Sequence, residues 1–174
     1  MKRIFIMGWI TVVALQAVAA SPTNAPARIE LEDQFGNPKL LTFPATNLTV
    51  LTVADKKGRQ QLGGWLDPLR DRFKSRVNIQ GIADCGAVPR LLRGRVRSEF
   101  RREQPYPVMM DWTGAVVQAF APLADQANIY VIDAEGRIVK RFTGLADRTG
   151  VNELSAVLEK MLATQSPAVV EPKP

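Results

Sequence analysis

The chain has 174 residues, 46% of them hydrophobic and 23% charged, which is one folded domain's worth and little more. It contains no histidine and a single cysteine, Cys85. That composition excludes Ser-His-Asp and Cys-His nucleophile pairs, a Cys/His zinc site and any disulfide within one molecule. The formal net charge is +6, but no aromatic-and-basic stacking pattern accompanies it, so nucleic acid is not an expected partner. No Asp-rich calcium-type loop is present, and neither a metal nor another cofactor is expected.

Lys2 and Arg3, the apolar run from Ile4 to Leu15 and the small residues Ala17, Ala19 and Ala20 have the layout of a secretory signal. Cleavage after Ala19 or Ala20 is predicted, which makes residues 1–20 the signal and the mature protein periplasmic or secreted. The alternative is an uncleaved inner-membrane anchor, for which Ile4 to Ala20 is a little short. With Lys2 and Arg3 removed, 21 basic residues face 17 acidic ones, a net charge of +4. Residues 21–26 read as a linker, 27–163 as the domain and 164–174 as a proline-bearing tail expected to be disordered.

Within the domain, Ala27 to Phe43 reads as a hairpin turning at Phe35-Gly36-Asn37-Pro38. Leu48 to Ala54 is a buried strand. Leu62, Trp65, Leu66, Leu69 and Phe73 form one helical stripe, weakened by Gly63, Gly64 and Pro68, with a kink expected near Asp67. Val77 to Ala83 is a second strand. Pro89 is expected at the first position of a helix whose Leu92, Val96 and Phe100 share a face. Tyr106 to Asp111 is a third strand, and Ala115 to Phe120 is ambiguous. Asn128–Asp133 and Arg137–Phe142 flank a turn at Ala134-Glu135-Gly136, and Val151, Leu154, Leu158 and Leu162 mark a last helix. The order predicts an α/β fold with a mixed central sheet, helices on both faces and an N-terminal β-hairpin.

Two segments carry a resemblance. Pro107-Val108 to Gly114 is similar to the "PV-x-x-D-x-x-G" strand and turn of redoxins. Asn128 to Val139 resembles the "x-V-I-D-x-x-G-R-I-V" hairpin that follows, and Leu31 to Asn37 resembles the opening hairpin. The chain therefore resembles the redoxin branch of the thioredoxin-like superfamily from about Ala27 to Met161. Among narrower relatives it is similar to periplasmic YtfJ-type proteins. The resemblance implies a three-layer thioredoxin-like fold, and it exposes two departures. Where thiol-active members carry Cys-x-x-Cys or Pro-x-x-x-Thr-x-x-Cys, this chain reads Asp55-Lys56-Lys57-Gly58-Arg59-Gln60-Gln61. Where thioredoxins place a groove-shaping proline, it reads Asp125-Gln126-Ala127-Asn128. Ordinary thiol–disulfide oxidoreductase or peroxiredoxin activity is therefore not expected, and a non-catalytic binding module is.

Three features remain as candidates. Cys85, at a strand-to-helix junction, is the only thiol; cationic neighbours such as Arg90 would lower its pKa and Asp84 would raise it. Either it is an inert packed residue or it serves single-thiol chemistry, through a mixed disulfide or a sulfenate. Lys56, Lys57, Gly58 and Arg59, with Arg90, form a basic rim suited to a small anionic ligand or an unidentified protein partner, or are simply a solvated turn. The run Arg90, Arg93, Arg95, Arg97, Arg101 and Arg102 is either a solvated helix face or a contact to an anionic membrane surface.

Overall fold

The computed structural model describes residues 22–165, so the expected signal and the tail from 166 onward lie outside the described residues. Seven strands and five helices follow in the order β1 (Arg28–Glu32), β2 (Pro38–Thr42), β3 (Thr49–Ala54), α1 (Lys56–Arg59), α2 (Gly63–Phe73), β4 (Asn78–Asp84), α3 (Arg93–Glu103), β5 (Met109–Asp111), α4 (Ala115–Ala119), β6 (Asn128–Ile132), β7 (Ile138–Thr143) and α5 (Arg148–Gln165). The central sheet has the order β5-β4-β3-β6-β7, with β1 and β2 as a separate hairpin. β3, β4 and β5 run parallel, whereas β6 is antiparallel to β3 and β7 to β6.

Strand alternation divides the core in two. Val50, Ile129 and Val131 point to one face, where they meet Trp65, Leu69 and Phe73 of α2 and Leu154 and Leu158 of α5. Leu51, Val53, Tyr130 and Ile132 point to the other, which is covered by Val117 of α4 and by Ile29 and Leu41 of the hairpin. The expected mixed sheet with helices on both faces is present. On the second face, however, the short α4 shares the covering layer with the hairpin. No helix among the described residues is long and apolar enough to cross a membrane.

Three local expectations change. Gly63 and Gly64 begin α2 instead of interrupting it, and the helix continues unbroken through Pro68. Pro68 removes only the backbone bond to Gly64, in the first turn, so the ladder beyond it survives. The third strand is shorter than expected, because Pro107 has no N–H to donate and a side chain replaces the missing neighbour. The buried Gln34 amide donates to the Tyr106 carbonyl at 2.8 Å and accepts from the Val108 N–H at 2.8 Å. The ambiguous stretch after β5 is helix α4, which begins where the Asp111 carboxylate receives the Val116 and Val117 N–H groups at 2.8 and 3.0 Å. Pro89 precedes a 3-10 turn over Arg90–Leu92, and α3 starts only at Arg93.

Candidate functional site

The parallel strands β3 and β4 end on one rim, at Asp55 and at Cys85, where open α/β sheets place their ligands. At the end of β3 the chain turns into α1, and the Asp55 carboxylate caps it, accepting the Lys57 and Gly58 N–H groups at 3.0 and 2.8 Å. Its other oxygen accepts the Asp125 N–H at 2.6 Å. Lys57 reaches Asp125 Oδ2 at 2.6 Å, and that bond, with the carboxylate charge, holds its ammonium above the usual lysine range. Gln61 completes the lacing, donating to the Asp125 carbonyl at 3.0 Å and accepting the Ala127 N–H at 3.1 Å. Asn128 holds the same loop from inside, donating to the Leu123 and Gln126 carbonyls at 2.9 and 3.0 Å.

This lacing engages several of the groups on which the anion cradle was expected at Lys56, Lys57, Gly58, Arg59 and Arg90. The amides that were to meet a ligand already donate to Asp55, and Lys57 is paired. Gly58 is buried, and Lys56 and Arg90 point separately into solvent. Arg59 turns the other way. Its Nη2 lies 3.2 Å from Glu99 and 3.0 Å from Glu103, and its guanidinium stacks 4.5 Å over the Phe100 ring, which ties α1 to α3. The four loop residues therefore do not converge on one point.

Cys85 is 2% exposed and packs with Ala83, Phe100 and Met110. Burial above all, then the carboxylates of Asp84 and Asp111, push its thiol up to about 12, and the guanidinium groups of Arg59 and Arg93 offset only part of this. The expected opposition from Asp84 is present. The cations that oppose it are Arg59 and Arg93, and not the exposed Arg90. Among the described residues no group of three or more His, Cys, Asp or Glu side chains could hold a metal ion.

A pocket of about 430 Å³ lies between α2 and α3, below the rim. Thr52, Gly81 and Ala83 form its floor, and Leu66, Phe100 and Tyr106 stand in its walls. Three cations also line it, and each already has a partner. Arg59 holds two glutamates, Arg70 stacks 4.0 Å over the Tyr106 ring with Asp67 at 3.8 Å, and Lys39 sits 3.8 Å from Asp33. Sequence reasoning missed this pocket. The available signal was Gly81, a lone glycine in an apolar strand, which often marks a place where something else approaches the backbone.

No protein-family model matches the chain, and no curated protein does. Solved structures do. A thiol:disulfide interchange protein of the thioredoxin family from Chlorobium tepidum superposes with a TM-score of 0.57 at 18% identity, over 83% of this chain and 99% of that one. Peroxidoxin BcpB from Mycobacterium tuberculosis gives 0.56 at 20% identity, over 84% and 99%. The exposed lipoprotein thioredoxin Etrx1 from Streptococcus pneumoniae gives 0.61 at 15%, over 76% and 100%. The chain has a thioredoxin-like fold.

On that fold the two departures noted in the sequence become one structural fact. The turn from Asp55 to Gln61 lies directly against the loop from Asp125 to Asn128. A Cβ on Gly58 would stand 2.2 Å from the Gln126 carbonyl oxygen and 2.5 Å from its carbon, both of them backbone. Gly58→Ala must force the two loops apart. It is expected to destabilise the protein by about 3 kcal/mol in urea denaturation, the upper end for overpacking. A change below about 1 kcal/mol would mean that the loops part easily and that the rim opens without strain.

Proposed function

We propose that the protein is an exported, non-catalytic binding module that holds a small, uncharged, largely apolar molecule in the pocket between α2 and α3. The observation that carries this reading is the pocket itself. Its volume is in the range of ligand sites, its floor and walls are mostly apolar, and each cation lining it already faces a carboxylate, although the buried Arg59 Nη1 has no hydrogen-bond partner. An uncharged ligand leaves these ion pairs in place. The closed rim and the buried Cys85 support the non-catalytic part. Export is supported by the leader pattern of residues 1–20 and by the description of the matched pneumococcal protein as an exposed lipoprotein.

The test uses an uncharged probe of naphthalene size, 2-acetylnaphthalene, titrated into the isotopically labelled protein. The amide resonances of Gly63, Gly81 and Val108 should move, since all three residues line the pocket. Gly81→Val should weaken binding at least about tenfold, because a side chain there would occupy the floor. The nearest atoms to the first added carbon would be the side-chain atoms Thr52 Oγ1 at 3.3 Å and Val108 Cγ1 at 3.7 Å, so the Thr52 side chain must shift by a few tenths of an ångström, and circular dichroism checks that the fold survives. Shifts that persist in Gly81→Val, or catalytic disulfide reduction by the parent protein with dithiothreitol, would sink the reading.

A further inference from the structure

The arginine-rich run divides into two sets once folded. Arg93 donates to the Trp112 carbonyl at 3.2 Å, Arg97 pairs with Glu32, and Arg101 donates to the Gln34 carbonyl at 2.7 Å. These three fasten α3 to the hairpin region and to the end of β5, Arg93 and Arg97 half-buried and Arg101 exposed. The apolar face of the helix is equally committed, since Val96 and Phe100 pack with Cys85 and Met110. α3 therefore cannot lie flat on a membrane by that face.

What remains outside is its leading tip. Leu91 is 97% exposed and Leu92 48%, side by side in the 3-10 turn that precedes α3. Arg90 and Arg95 flank them and are also exposed, and a Cβ on the intervening Gly94 would meet no atom within 4 Å. From Cys85 to Ser98 there is no acidic residue. The carboxylates that bound this stretch are engaged elsewhere: Asp84 accepts the Gly86 N–H at 3.1 Å, and Glu99 faces Arg59. The first turn of α3 carries arginines and no acid, the wrong sign for the positive end of a helix, and Leu92 caps it with no side-chain bond. Among the described residues Leu91 belongs to no core cluster, and Arg90 and Arg95 make no ion pair or side-chain hydrogen bond.

We propose that the Leu91–Leu92 tip, flanked by Arg90 and Arg95, inserts shallowly into a bilayer containing anionic lipid and seats the protein on it. Two adjacent leucines on a protruding turn can reach the headgroup–acyl boundary, while arginines beside them meet lipid phosphates. A protein partner fits less well, because a stable interface needs about 800 Å² from each side. Beside the tip, α3 already spends Val96 and Phe100 on the core and Arg93, Arg97 and Arg101 on the hairpin region and the end of β5.

The test uses the chain from Ser21 onward, which contains every residue of the three core clusters, and phosphatidylcholine vesicles with and without phosphatidylglycerol. Co-sedimentation is expected only with phosphatidylglycerol and should weaken as salt rises. Leu91→Ser with Leu92→Ser should weaken it by about tenfold or more, as should Arg90→Glu. Arg102→Glu makes the same charge change on the last turn of α3 and should leave binding near the parental level. Because the substituted side chains are exposed, the fold should survive each change, which circular dichroism checks. Three outcomes overturn the proposal. One is no sedimentation with anionic vesicles at low salt, which would turn attention to an acidic protein partner. The others are indifference to loss of both leucines and equal effects of Arg90→Glu and Arg102→Glu.

Discussion

Iodoacetamide at about pH 8 is expected to label Cys85 in the folded protein roughly a thousandfold more slowly than in the unfolded chain. Only the thiolate reacts, and burial, with the Asp84 and Asp111 carboxylates behind it, pushes the folded thiol up to about 12 from an ordinary 9.0. That difference of about three pH units sets the ratio of thiolate populations. The labelling rate should therefore follow global unfolding and rise with urea in step with loss of structure. Labelling as fast as that of a free thiol would restore the single-thiol reading of Cys85 and justify peroxide and mixed-disulfide assays. The same shift has an alkaline consequence. The folded value lies above the unfolded one, so the stabilisation is complete below about pH 9 and is lost as pH rises toward the folded value. Cys85→Ala should lose less stability than the parent between about pH 9 and pH 11.

The largest stability effect is expected at Asp111, which is fully buried at the end of β5. Its Oδ1 accepts the Thr113 N–H at 3.0 Å, the Thr113 hydroxyl at 2.8 Å and the Gly114 N–H at 2.9 Å. Its Oδ2 accepts the Val116 and Val117 N–H groups. Asp111→Ala strands these donors at the start of α4, beside the core that Val117 and Phe120 build. A buried donor without a partner costs about 1–3 kcal/mol, and relaxation recovers part of the sum, so a loss of about 4 kcal/mol is expected. Asp111→Asn keeps the shape but points an amide nitrogen at N–H groups, and about half that loss is expected. Burial alone would raise the Asp111 carboxyl, but the bonds from Val117, Thr113 and Gly114 outweigh it and hold it below the usual range. Its contribution is thus present above about pH 4 and is lost as pH falls through the folded value. Asp33, lowered in the same sense by the Asn37 and Phe35 N–H groups against its own burial, adds to this acid sensitivity. Urea denaturation at about pH 7 and pH 3 should show a smaller acid loss for Asp111→Asn than for the parent. An Asp111→Ala loss below about 1 kcal/mol would show that α4 starts without the carboxylate.

The sequence by itself determined the sheet. β-branched and aliphatic residues at Thr49–Ala54 and Asn128–Ile132 can be satisfied only by burial on both faces, and their order with the helical stripes leaves few topologies. It also determined that the dithiol motif is missing, because a residue type at a position is visible without coordinates. Long-range pairing was not visible. That Asp55 and Lys57 would meet Asp125 depends on loops brought together only when β3 and β6 pair, and that Arg59 would meet Glu99 and Glu103 depends on α1 and α3 being brought together when β3 and β4 pair. Periodicity marks which face of α3 is apolar, but not which arginines find carbonyls and carboxylates on the hairpin. The pocket over Gly81 exists because α2 and α3 stand apart on the sheet, and the spacing of two helices is a property of the packed core that no local pattern encodes. Local chemistry thus fixed the strands and the two long helical stripes, and tertiary packing decided where α3 and α4 begin, which charges are spent inside the fold and which remain outside it.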